Sequence, residues 1–169
     1  MATLRRSIVV SILFTLFGGP GMLLVVVPFF ITRFRIPGGQ PVLYSVAASC
    51  LMIAGLMPLV ESIWRFIVVG RGTLVPTMPT EHLVVSGLYQ YVRNPMYLGV
   101  FTVMAGEALL FASRGVLVEL AISALGMELF VGFYEEPRLI RTFPQEYALY
   151  RSQVRRWLPR LTPWNRSKG

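Results

Sequence analysis

Between Leu83 and Gly99 the chain reads LVVSGLYQYVRNPMYLG, where an otherwise apolar sequence gathers polar, aromatic and glycine residues at close spacing. Arg93 brings a planar guanidinium whose fork of N–H donors suits a carboxylate or a phosphate. Asn94 beside it both donates and accepts, and Tyr89, Tyr91 and Tyr97 add ring faces and hydroxyls. A second polar cluster, Glu135-Glu136, follows two further apolar runs. Paired carboxylates at a bilayer edge are costly unless they meet cations or water. That pair reads either as a cation site or as the acidic start of a helix, with Pro137 at its first position and the dipole favouring negative charge.

The elements that must position these groups follow from local chemistry. Ser86-Gly87 is a turn signal, because glycine reaches positive φ without steric cost. Arg93-Asn94-Pro95 sets an extended residue before a proline. Pro95 suits the first turn of a helix, and an apolar run begins at Met96. A polar loop thus delivers Arg93, Asn94 and Tyr97 to the mouth of a membrane helix.

Composition sets the class. Of 169 residues, 54% are hydrophobic and 14% charged, and the mean hydropathy is +0.61. Soluble domains carry about 25% charged residues, so the chain reads as an all-α, polytopic integral membrane protein in one domain, residues 1–169. The net charge of +8 does not indicate nucleic acid, because the basic residues cap apolar runs instead of forming a basic face. The lone Cys50 and lone His82 exclude an internal disulfide and a cysteine- or histidine-built metal centre.

In chain order, Arg5-Arg6 precedes an apolar run from Ser7 to Ile31. It is longer than a signal core and lacks a small-residue cleavage site, so a first membrane helix is expected in place of a signal or twin-arginine leader. Gly18-Gly19-Pro20-Gly21 interrupts it as a kink or close-packing point. A loop, Arg33 to Pro41, leads to a second run from Val42 to about Val60, continuing to Val69. There Glu61 and Arg65 stand four apart, as an interfacial ion pair would, beside Trp64. A third run spans Met96 to Ala112, Arg114-Gly115 makes a turn, and a fourth runs from Val116 to Tyr134. Glu107 and Glu119 flank Arg114 as its expected partners. Glu128 lies seven residues before Glu135, on one helix face and roughly 10 Å deeper.

Four spans place both termini on one side. The N-terminus, the loop from Gly70 to Asn94 and the tail share most arginines, which puts that side in the cytoplasm. The tail, PRLIRTFPQEYALYRSQVRRWLPRLTPW, mixes arginines with Leu, Tyr and Trp, as an amphipathic segment lying on anionic lipid would. Fifteen arginines to one lysine is a bias associated with GC-rich bacterial genomes, so a bacterial cytoplasmic membrane is the expected setting. No feature specifies an oligomeric state.

With these residues in place, the segment from Leu83 to Pro163 resembles the isoprenylcysteine carboxyl methyltransferase family, to which phospholipid N-methyltransferases are related. That family's pattern is Arg-His-Pro-x-Tyr-x-Gly, a hydrophobic hairpin, Glu-Glu, then Phe-Gly-x-x-Tyr. Arg93, Pro95, Tyr97, Gly99, Glu135, Glu136, Phe143 and Tyr147 match it, while Asn94 replaces His and Pro144 replaces Gly. The resemblance implies methyl transfer from S-adenosylmethionine to a lipid-like or prenylated acceptor, in a pocket on the cytoplasmic side. Residues 1–69 would be N-terminal membrane helices and residues 83–163 the cofactor-binding half. Cofactor contacts would come from Tyr89, Tyr91, Arg93, Asn94, Pro95, Tyr97, Gly99, Glu135 and Glu136, with Arg93, Asn94 and Glu136 as catalytic residues. Glu135 and Glu136 would meet the cofactor's ammonium and Arg93 its carboxylate. An amine or hydroxyl acceptor would also need a base, for which His82 and Glu128 are the candidates. Two rivals stay open: a nicotinamide-dependent membrane reductase of the sterol type, which the C-terminal half also resembles, and a small helical membrane protein without activity.

Overall fold

The computed structural model describes residue 13 and residues 18–69 and 82–165. Arg5-Arg6, part of the first apolar run, the loop from Gly70 to Glu81, Arg166 and Lys168 lie outside them. Among the described residues every regular element is helical. Helix α1 covers Gly19–Thr32, α2 Val42–Val68, α3 Pro95–Leu110 and α4 Arg114–Thr142; α5 covers Pro144–Gln153. A 3-10 turn, Gly87–Gln90, precedes α3. Two helices, α2 with 27 residues and α4 with 29, are long and apolar enough to cross a membrane. At about 1.5 Å per residue each exceeds the roughly 30 Å of a bilayer's hydrocarbon layer.

Their outer faces are apolar and bare. Leu43, Ile53, Met57 and Val60 on α2 are exposed, as are Val118, Ile122, Leu125 and Phe133 on α4. Such surface is stable against lipid and would aggregate in water. The inner faces meet at α3, where Leu59, Val100 and Met104 form a core with Leu23 and Leu24 of α1 and Leu120 of α4 packed on it.

The α2–α3 crossing depends on small residues. A Cβ at Gly55 would lie 2.6 Å from the Gly99 carbonyl oxygen, and one at Gly99 2.7 Å from that of Gly55. Further along the crossing, a Cβ at Gly106 would lie 2.8 Å from the Ala48 carbonyl oxygen. Backbones this close gain dispersion along their length, which is how helices associate where lipid is as apolar as leucine. Gly99, at the start of α3, is therefore taken up by this crossing.

Two expected boundaries move. The turn between α3 and α4 is Phe111–Ser113, not Arg114-Gly115. Ser113 N donates to Ala108 O at 3.0 Å and Ala112 N to Leu109 O at 3.2 Å, with Ala112 left-handed at φ 45°. That is a Schellman closure, and Ser113 Oγ then accepts from Val116 N at 3.3 Å to cap α4. Nor does the fourth run stop at Glu135-Glu136. It passes through a π-helical stretch, Val131–Glu135, and continues to Thr142.

Arg114 does not pair with Glu107 or Glu119. It is exposed, whereas both glutamates are buried. Glu107 Oε2 and both Glu119 oxygens have no hydrogen-bond partner among the described residues. Five residues separate Arg114 from Glu119, about 140° around the helix, so they take different faces.

The crossing yields a stability test. Gly99→Ala should lower stability by about 1–3 kcal/mol through overpacking. Gly126→Ala on α4, where an added Cβ meets nothing within 4 Å, should melt like the parent. Thermal unfolding in one detergent compares the two, and equal melting temperatures would remove the close crossing.

Candidate active site

The loop before α3 is held by the segment that comes after α5. Gly87 opens it at φ +63°, where a Cβ would lie 2.0 Å from Glu61 Oε1. Only glycine fits both that dihedral and that approach. Glu61 there forms the expected pair with Arg65 at 2.7 Å, and Arg65 Nη1 reaches Ser86 Oγ at 3.4 Å.

The loop's own polar groups then find partners in the C-terminal strap, residues 154–165. Arg93 N donates to Arg155 O at 2.9 Å, Arg160 N to Tyr91 O at 2.9 Å and Trp164 N to Gln90 O at 3.0 Å. Tyr150 Oη donates to Tyr89 O at 2.7 Å, and Asn94 Nδ2 to Arg156 O at 3.3 Å. Val154, Trp164, Tyr147 and Tyr150 form a second core beneath this strap. The basic, aromatic tail folds back over the loop, whose exposed N–H and C=O groups need partners.

Four charged side chains converge under the strap. Glu136, 4% exposed, accepts at one oxygen from Arg93 Nη1 at 3.0 Å and from Arg156 Nε at 2.8 Å. Arg156 Nη1 also pairs with Glu128, whose other oxygen accepts from Trp157 Nε1. Arg93 Nη1 reaches Tyr147 Oη at 3.2 Å. Burial, then the nearby Glu136 charge, pushes the Tyr147 phenol up to about 12, so it stays neutral at physiological pH. The hydrogen bond that Arg156 donates to Glu136 holds its guanidinium above the usual range.

The π-helical stretch decides which glutamate does what. In a plain α-helix Glu128 would share a face with Glu135, seven residues on. An i→i+5 turn consumes an extra residue, so Glu128 lines up instead with Glu136, and Arg156 bridges those two. Glu135 turns away to accept from Tyr97 Oη at 2.9 Å. The adjacent pair is therefore split: Glu136 clamps two arginines, and Glu135 stands apart with the tyrosine.

The other expected site residues divide accordingly. Asn94 is buried at the site but spends its amide on the strap. Pro95 is buried and starts α3. Tyr89 is buried, and burial raises its phenol well above the ordinary range. Its carbonyl accepts from Tyr150 of α5, whereas that of Tyr91 accepts from the strap. Glu128 joins the cluster as an ion-pair partner, and His82 is exposed. Arg156, Trp157 and Tyr150 were not singled out from sequence. Their only signal there was a basic, aromatic tail, and the position of Tyr147 in the family pattern was the nearest hint.

Splitting the pair predicts different stabilities. Glu136→Gln leaves two guanidiniums without their buried counter-charge, and breaking a buried pair costs about 3–5 kcal/mol. Glu135→Gln keeps an acceptor for Tyr97 and should unfold within about 1 kcal/mol of the parent. Thermal unfolding in detergent ranks them, and equal losses would contradict the division of roles.

Comparisons with known proteins bear on this constellation. A family model described as phospholipid methyltransferase matches residues 43–146. Searches of curated proteins and of solved structures each return no match. The matched residues run from α2 to the first turn of α5 and take in the arginine loop and both glutamates. The chain belongs to the phospholipid methyltransferase family of integral-membrane methyltransferases, which includes the isoprenylcysteine carboxyl methyltransferases.

Proposed function

We propose that the protein transfers a methyl group from S-adenosylmethionine to a lipid-like acceptor at the cytoplasmic face of the membrane. The observation that carries this reading is Arg93. Its Nη1 is shared by Glu136 and Tyr147, yet its buried Nε has no partner among the described residues. A buried donor without an acceptor is rare unless a ligand completes it. The guanidinium fork suits a carboxylate. On this reading Arg93 takes the cofactor's carboxylate, and Glu135, held by Tyr97, meets its ammonium. Glu136 acts one step back as a positioning residue that fixes Arg93 and Arg156.

S-adenosylmethionine, when bound, supplies an electrophilic methyl on a sulfonium. Such a displacement requires in-line alignment of acceptor and methyl, so the chain's main contribution is to position and to exclude water. Tyr97 and Phe101 pack toward Trp157, with ring centroids 6.4 Å and 6.2 Å from it, and they provide that apolar wall.

Calorimetry in detergent tests the cofactor. S-adenosylmethionine should bind and its demethylated product should compete. Arg93→Lys and Glu135→Gln should each weaken binding about ten- to a hundredfold, the cost of a charge-assisted hydrogen bond. Parent-like affinity in both variants, or binding of NADPH instead, would end this assignment.

The same reading takes α1, with the residues before it, and α3 as two further spans. Both termini then share the arginine-rich cytoplasmic side. Reporter fusions at the two ends should report one compartment, and opposite compartments would refute four spans.

A further inference from the structure

The strap is tied to α4 at a depth where the bilayer begins. Arg114 and Tyr134, both exposed, stand about 30 Å apart along α4 by helical rise, the thickness of the hydrocarbon layer. Between them runs the bare stripe Val118, Ile122, Leu125, Leu129 and Phe133. Tyr134 therefore marks the edge on the side of the charged cluster, as interfacial tyrosines do. Glu128 comes before it in α4, roughly 9 Å to the hydrocarbon side of that edge. Arg156 and Trp157 of the strap both bond to Glu128, and the Trp157 ring packs toward Tyr97 and Phe101 of α3. These two side chains reach below the level of the headgroups.

What the strap leaves outside is apolar and basic. Leu158, next to Trp157, is 63% exposed, and Leu161 is 100% exposed. From Val154 to Asn165 the strap reads VRRWLPRLTPWN and holds no acidic residue. Arg155 is exposed, and its guanidinium has no acidic partner among the described residues. A leucine left bare at this depth meets acyl chains, and an arginine beside it extends to the phosphates above. Arginine, leucine and tryptophan without acid, held at a bilayer edge, have the chemistry of an interfacial anchor.

We infer that the strap seats itself on an anionic lipid surface, with Leu158 in the acyl layer and Arg155 at the headgroup phosphates, and that this seat steadies the clamp on Glu136. The inference stands apart from the methyl-transfer reading, because it involves no cofactor. Zwitterionic lipid supplies the acyl layer without net charge. The strap's basic charge has no acid of its own to offset it, so its attraction grows with anionic lipid content. The same strap carries Arg156 to Glu136. It also shares three backbone hydrogen bonds with the loop, through the amides of Arg93, Arg160 and Trp164. Lifting the strap breaks these bonds together with its lipid contacts. Lipid that binds the closed strap therefore stabilises the closed site by mass action.

Two measurements on the full-length protein in lipid nanodiscs test the seat. The discs hold phosphatidylcholine alone or phosphatidylcholine with phosphatidylglycerol. The first places a nitrobenzoxadiazole dye on Leu158→Cys, in a Cys50→Ala background. Lipids spin-labelled in the upper acyl chain should quench it several-fold more than aqueous cobalt does. The second follows hydrogen exchange at the amides of Arg93, Arg160 and Trp164, which should slow several-fold when phosphatidylglycerol is present. Arg155→Gln should remove at least about half of that slowing, and high salt should remove it by screening. Arg35→Gln, an exposed arginine in the loop that packs on the α3–α4 turn through Phe34 and Phe111, should leave it whole. Stronger quenching from water than from lipid would overturn the acyl contact. Equal exchange in the two discs would overturn the anionic partner. Parent-like slowing in Arg155→Gln would take the headgroup contact away from the strap.

Discussion

The shared carboxylate oxygen of Glu136 is the contact on which the site depends. It accepts from Arg93, on the loop before α3, and from Arg156, on the strap that closes the chain. Two guanidiniums in a poorly hydrated place would repel each other and lose their solvation, so neither segment could bring its arginine inward without that anion. With it present, loop and strap lie side by side, joined by backbone hydrogen bonds at Gln90, Tyr91 and Arg93 and by the Asn94 side chain. The clamp leaves Arg93 with one buried donor to spare, the donor that the proposed function gives to the cofactor.

The helices beneath supply rigidity at the site's base. Gly55, Gly99 and Gly106 let α2 and α3 approach backbone to backbone, and an approach so close leaves little freedom for the start of α3. That start carries Asn94, Pro95 and Tyr97. In the same way the Glu61–Arg65 pair at the end of α2 meets Gly87 and Ser86 at the start of the loop. Both ends of the loop are thus referred to the same helix pair. A site for in-line transfer benefits from such a base, since small misplacements cost much rate.

The π-helical stretch in α4 is the local irregularity with the largest consequence. It costs hydrogen-bond geometry within the helix, and π turns are found mostly where function uses them. Here it moves the register by one residue, so that two adjacent glutamates face different partners. Glu136 goes to the arginines, and Glu135 goes to Tyr97. The continuation of α4 past the glutamates to Thr142 also carries Leu139 and Phe143 toward the core beneath the strap.

Much of this protein was legible from residue types alone. Runs of apolar residues flanked by arginine identify membrane helices whatever their packing, because a helix must satisfy its own backbone in lipid. Ser86-Gly87, Asn94-Pro95 and Glu61–Arg65 act over a few residues, and the structure places each where local chemistry puts it. The family is legible too, since Arg93, Tyr97, Glu135 and Glu136 keep its spacing. Tertiary structure decided what depends on distant partners. Arg156 and Trp157 look like surface residues of a basic tail until the strap folds over the loop, and Gly99 looks like part of a motif until Gly55 is opposite it. Arg114, Glu107 and Glu119 look like neighbours until the helices rotate them apart. The face on which Glu128 lies could not be read by counting, because helical periodicity assumes 3.6 residues per turn and the π-helical stretch breaks that count.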